Sequence, residues 1–222
     1  MSIHKLVDLL QVYRGDGVFN QYLETDPTLE RPNGAAIRRR NLRRYLEAFA
    51  DASYVLVGEA AGYAGCRFSG MPFTGEAQIV GLEALPWARG LGFEQSSLGD
   101  LWRERSGEMV WAAFDGRRDC VLWNAFPWHP HGDQPLSNRK PRRSELAQAT
   151  EVLRCFLRAV FADTRLGDAS QEDVVRDSPI QVGGNGQPAQ REHDGRDAHS
   201  ARVPGGHGVG DVATVQLSDG EQ

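Results

Sequence analysis

The chain has 222 residues, with 25 Lys+Arg against 30 Asp+Glu, a formal net charge of −5, 40% hydrophobic and 25% charged residues. That balance fits one globular domain, or a domain with a tail, and excludes a collagen, a disulfide scaffold and a histone-like polycation. Cys66, Cys120 and Cys155 are too few and too scattered for bridges, no apolar run reaches the roughly 18 residues of a membrane span, and Met1–Lys5 lacks the zones of a signal peptide, so a cytoplasmic chain without a membrane partner is expected.

Leu6, Leu9, Leu10 and Tyr13 recur at helical spacing, and residues 14–33, with their Gly, Asn and Pro, read as loop. Leu42, Tyr45, Leu46 and Phe49 predict a helix over 35–50, with Arg38, Arg39, Arg40, Arg43 and Arg44 on its solvated faces. Tyr54-Val55-Leu56-Val57 reads as a buried strand stopping at Gly58. Ile79, Leu82 and Leu85 predict a helix near 75–85, and Val110, Trp111 and Phe114 another near 106–115. Cys120–Phe126 is a second buried strand. With Ser144 as its N-cap, Ala149 through Val160 is an amphipathic helix ending near Ala162. Helices alternating with continuously apolar strands imply an α/β fold around a short parallel sheet covered on both faces.

The composition breaks near residue 166. Residues 167–222 hold 10 Gly, no aromatic, 10 acidic and 4 basic residues, so the net −6 of this segment carries the acidity of the chain. A segment so poor in large apolar side chains cannot offset its ordering entropy, and it reads as a mostly disordered tail on a domain spanning 1–166. Only weak patterns such as Val209–Val215 argue otherwise, and no run there is convincing as a further sheet strand.

In an open parallel sheet, sites form beyond the carboxyl ends of strands. The first strand leads into Gly58-Glu59-Ala60-Ala61-Gly62-Tyr63-Ala64-Gly65, where glycines let backbone amides approach a ligand. The second contains Asn124, whose amide is costly in an apolar strand unless it is used. Gly58, Gly62 and Gly65 do not have GxGxxG spacing, and there is no Walker lysine. His129 and His131, with Asp133, are weak candidates for a metal site and leave a small-molecule enzyme as a minor reading.

Gly58-Glu59-Ala60-Ala61-Gly62 resembles the Gly-Glu-Ala-Pro-Gly signature of the uracil-DNA glycosylase superfamily. Gly70-Met71-Pro72-Phe73-Thr74-Gly75-Glu76 resembles the segment carrying that family's base-stacking phenylalanine. Leu122-Trp123-Asn124-Ala125-Phe126-Pro127, followed by Pro135-Leu136-Ser137-Asn138-Arg139-Lys140-Pro141, resembles its strand with the uracil-reading asparagine and its downstream turn. Three blocks in the family's order, over about residues 35–160, make the resemblance fairly specific. It implies a three-layer α/β/α fold and a DNA-repair glycosylase. Such an enzyme flips uracil out of uracil-containing DNA and hydrolyses its glycosidic bond, without a cofactor and as a monomer.

The resemblance gives Phe73 the stacking role and Asn124 the reading of the Watson–Crick edge. Gly58, Ala60, Gly62 and Tyr63 would line the base site, and Glu59, the ionisable group of that motif, would orient the attacking water. Arg67, Ser137, Asn138 and Arg139 would hold the DNA backbone, which positions without reading sequence. A plain structural role stands beside each assignment: an amide acceptor for Glu59, a core ring for Phe73, a strand-end amide for Asn124.

The sequence also departs from the family. Ala61 replaces the usual proline, and three scattered cysteines cannot supply a four-cysteine iron–sulfur cluster, so a cluster-free relative is implied. The late His-Pro-Ser-like motif, whose histidine stabilises the departing uracil, has no counterpart in 167–222, where His207 is the only histidine in a Gly-rich setting. A divergent or frame-shifted end on a glycosylase body would explain this, and the other two reading frames of the coding DNA would test it. The second reading is therefore a catalytically inactive relative that binds single-stranded DNA or a nucleobase.

Overall fold

Both apolar runs form strands, and they pair side by side. In the computed structural model β2 (Tyr54–Ala60) and β3 (Cys120–Phe126) are parallel, in register from Tyr54↔Cys120 to Ala60↔Phe126. The description covers residues 1–161 and the strand 213–216, which belong to one compact unit. That last strand, β5 (Ala213–Gln216), falls where the weak Val209–Val215 pattern stood, and it pairs with β2 from Tyr54↔Gln216 to Val57↔Ala213. It runs antiparallel, so the sheet, of order β3-β2-β5, is mixed rather than parallel. The other expectations for the tail, disorder over the rest of 167–222 and the place of His207, lie outside the described residues.

Among the described residues no strand pairs with the outer edge of β3, and a side chain occupies it. The Tyr45 hydroxyl accepts the Leu122 N–H at 2.6 Å and donates to the Leu122 carbonyl at 3.2 Å, satisfying the backbone groups a fourth strand would have paired. Tyr45 sits on α2 (Gly34–Ala48), the helix read from the Leu42–Phe49 repeat.

Helix α1 (Ile3–Leu10) buries Leu6, Val7 and Leu10, and its first turn is capped by the Ser2 hydroxyl accepting the Lys5 N–H. Helix α5 (Arg143–Val160) packs on β3, where Trp123 and Phe156 stack with ring centroids 4.1 Å apart and planes within 9°. Its N-cap is Arg142, not Ser144, because the Glu145 carboxylate reaches back to accept the Arg142 N–H at 2.6 Å. Helix α4 (Arg105–Phe114) agrees with the pattern around Trp111.

The predicted helix near 75–85 does not form. Single 3-10 turns stand at Glu76–Gln78 and Pro86–Ala88, with Gly81 between them at φ +86. Ile79 is buried but Leu82 is 98% exposed, so the apolar spacing there reflects no common face. A short pair, β1 (Val18–Phe19) with β4 (His129–Pro130), interrupts the expected loop over 14–33 and ties it to the segment after β3. The described residues are thus a mixed α/β body with a small sheet and five helices, the fifth being the single turn α3 (Cys66–Ser69).

Candidate functional site

Strand register brings the first and third sequence blocks together. Gly58 lies directly opposite Asn124, so both face the same side of the sheet. The second block covers that side: a Cβ on Gly58 would lie 2.8 Å from Phe73 Cε2 and 3.0 Å from Asn124 Oδ1. Only glycine leaves room for the ring and the amide to meet over the sheet. Asn124 is 3% exposed, yet among the described residues its amide has no hydrogen-bond partner. Phe73 remains half-buried.

Phe73 is held in a costly backbone conformation. Its φ is +53, in the left-handed region that a bulky residue rarely adopts, at a cost of about 1–3 kcal/mol. The surroundings enforce it. Gly107 of α4 packs on the Phe73 carbonyl so closely that a Cβ there would stand 2.8 Å from the carbonyl carbon. Next along the chain, the Thr74 hydroxyl donates to the Pro72 carbonyl and accepts the Trp111 indole N–H at 3.1 Å. Beyond it, the Glu76 carboxylate accepts the Ser96 and Ser97 amides at 2.7 and 3.0 Å.

β2 continues through Gly58, Glu59 and Ala60, which were expected to be loop, and the chain leaves the strand only at Ala61. Alternation along the strand returns Ala60 to the Gly58 face and turns Glu59 to the opposite face, away from Phe73 and Asn124. The structure therefore does not bring the Glu59 carboxylate to the other candidate residues, as its assumed water-orienting role requires. The loop that follows joins the third block directly: the Tyr63 N–H donates to Asn138 Oδ1 at 3.0 Å. His129, buried below, spans the same gap, with Nδ1 3.0 Å from the Ala61 carbonyl and Nε2 3.3 Å from the Pro135 carbonyl. Burial pulls its pKa down to about 4, so at neutral pH it donates from one nitrogen, assigned to Nδ1 by the shorter contact. Both nitrogens face backbone carbonyls, and among the described residues no group of three His, Cys, Asp or Glu is placed to hold a metal.

Glu104, a carboxylate that the sequence reading missed, stands at the same loop. It precedes α4, its backbone N lies 2.8 Å from where a Gly75 Cβ would be, and its side chain packs under Gly62 and Gly65. Oε1 accepts the Ser106 hydroxyl at 3.0 Å, whereas Oε2 is buried and, among the described residues, has no hydrogen-bond partner. Burial pushes its pKa up to about 7; the Ser106 hydroxyl and the Cys66 amide, which lies outside hydrogen-bond geometry, oppose this only in part. No periodicity marks Glu104, and its glycine neighbours are distant in sequence; the signal was the glycines themselves, which leave space for another side chain.

The expected phosphate-binding residues divide. Arg67 is a correction: it is 1% exposed, its guanidinium is 3.3 Å from Glu30 and 3.4 Å from Asp26, and it lies between the rings of Phe19 and Phe68. A cation so enclosed cannot reach a DNA backbone. Arg38 is likewise fully buried against Glu30 at 2.9 Å, and Arg40 and Arg44 share Glu94, so this helix face is not simply solvated. Arg139 forks onto both Glu145 oxygens at 2.8 Å and holds the Gly17 and His131 carbonyls. Its role in the fold is to pin the third block to α5 and β1. Ser137 closes the turn after β4 by accepting the Gly132 N–H and donating to the Gln134 carbonyl. Asn138 is exposed, as are Lys140, Arg142 and Arg143 beside it.

The chain matches no protein-family model, and no curated protein matches it. Among the described residues, no helix is long and apolar enough to cross a membrane.

Proposed function

We propose that this protein is a uracil-DNA glycosylase-like hydrolase, a three-layer α/β/α relative that removes uracil from DNA after flipping the nucleotide out of the stack. The observation that carries the reading is the convergence of Gly58, Phe73 and Asn124 on one side of the sheet. A half-buried aromatic residue beside an enclosed carboxamide that has no partner among the described residues is what recognition of a flipped base needs. Phe73 stacks on the base. The Asn124 amide accepts from uracil N3–H and donates to O4, and it rejects cytosine, whose edge presents the reverse pattern. The strained Phe73 backbone, fixed by Gly107 and Trp111, keeps the ring in place before substrate arrives. Exposed Lys140, Arg142 and Arg143 beside Asn138 supply cations for the phosphates.

The test is base release from an end-labelled oligonucleotide carrying one uracil, with abasic sites cleaved by alkali. Release by the wild-type chain and a loss of about 10²–10³-fold or more in Asn124→Ala, with an unchanged circular dichroism spectrum, is the expected result. No release from a folded wild-type chain refutes the active enzyme. Salt-dependent binding of single-stranded DNA in that case would identify the inactive relative instead.

A further inference from the structure

We propose that Glu104, rather than Glu59, is the carboxylate that takes the proton of the attacking water at this site. The inference rests on the glycosylase reading and adds the residue that handles the proton. Two of the three site loops close on Glu104. Gly62 and Gly65 lie over its side chain: a Cβ on Gly62 would be 3.4 Å from Oε1, and one on Gly65 would be 2.9 Å from the Glu104 Cβ. Gly75, two residues beyond the stacking ring, packs on its backbone. Glu59 projects to the other face of the sheet, and Ala60, which does face the site, carries no ionisable group. One oxygen of Glu104 is fixed by Ser106; the other is buried and, among the described residues, accepts no hydrogen bond, which leaves it able to take a proton.

In the step, water oxygen bonds to the sugar C1′ while the C1′–N1 bond breaks and its electron pair leaves on uracil N1. One water proton passes to Glu104, leaving an abasic sugar hydroxyl and the uracil anion; Glu104 later releases its proton to solvent. A base must be ionised to act, so the raised carboxyl makes the rate increase with pH through about 7. The groups facing Glu104 do not duplicate this titration. On α3 the Cys66 thiol is held up at about 12, Ser106 on α4 does not ionise in this range, and Arg103 is paired with Glu83 and Glu108. From the 62–65 and 73–75 loops, Gly62, Gly65 and Gly75 lie against it, and none of them titrates.

The experiment measures single-turnover uracil release from pH 5.5 to 8.5 for the wild-type chain, Glu104→Gln and Glu59→Gln, with thermal melts as the folding control. The wild type should show a limb near pH 7. Glu104→Gln should lose about 10²–10⁴-fold and the limb with it, while Glu59→Gln keeps both. A wild-type profile without the limb, or a Glu104→Gln variant that retains rate and limb, overturns the inference and leaves the glycosylase reading standing. A wild-type chain that releases no uracil overturns both. If Glu104→Gln does not fold, the wild-type profile and the Glu59→Gln rate still decide.

Discussion

Gly58 gives the most direct check on the site, because its missing side chain is what lets Phe73 and Asn124 meet. A methyl group there would stand 2.8 Å from Phe73 Cε2, and apolar carbons are at ease only at about 3.5–4.0 Å, so the ring must retreat by roughly 1 Å. It cannot do so by moving its backbone, which Gly107 and the Thr74–Trp111 hydrogen bond hold at φ +53. The ring must instead rotate out of its rotamer, and overpacking of this kind costs about 1–3 kcal/mol. In a body of this size that lowers the melting temperature by roughly 2–12 °C. The same methyl, 3.0 Å from Asn124 Oδ1, also obstructs the amide, so Gly58→Ala should abolish uracil release beyond what its stability loss explains. Gly62→Ala is the control for the melt alone: its Cβ would meet only Glu104, with Oε1 at 3.4 Å, and should change the melt little. Thermal melts and uracil release on the two variants decide the matter. If Gly58→Ala melts like Gly62→Ala and releases uracil like the wild type, the ring does not lie against Gly58 and the proposed base site is wrong.

Two further outcomes follow from the buried charges. Replacing Glu30 by Gln leaves the guanidiniums of Arg38 and Arg67 enclosed without their shared anion, so urea denaturation should show a loss of about 3–5 kcal/mol; a loss below about 1 kcal/mol would mean the group is hydrated. Glu104 makes stability depend on pH. Its folded pKa, about 7, lies above an unfolded value near 4.3, so its favourable contribution is complete below about pH 4 and is lost as pH rises through 7. With allowance for partial exposure the loss is about 2 kcal/mol, and wild type should weaken relative to Glu104→Gln between pH 5 and pH 8. Parallel urea midpoints for the two chains over that range would show that Glu104 keeps an ordinary carboxyl.

The parts of this structure that were legible in the sequence are those governed by local repetition. The Leu42–Phe49 spacing gave α2, the unbroken apolar runs gave β2 and β3, and the order of the glycine, phenylalanine and asparagine blocks marked residues that meet in space. What was not legible depends on partners far along the chain. Arg38 looks like its arginine neighbours until Glu30 is placed against it, and Arg67 looks like a surface cation until Phe19 and Phe68 enclose it. Apolar spacing at Ile79, Leu82 and Leu85 imitates a helix because periodicity does not register the break at Gly81. β5 is four residues long in a Gly-rich stretch, and its direction is set by pairing with β2 rather than by its own composition.

The Tyr45 hydroxyl on Leu122 bears on how copies of the protein behave toward one another. A sheet margin with bare amides and carbonyls is a template that another extended chain can zip onto, and proteins usually blunt it with charge, proline or a covering loop. Here one phenol occupies both hydrogen-bonding positions of Leu122 in the middle of β3. Any incoming strand would have to displace it before finding consecutive rungs. The margin is therefore guarded from within the fold, by a single atom that belongs to a helix.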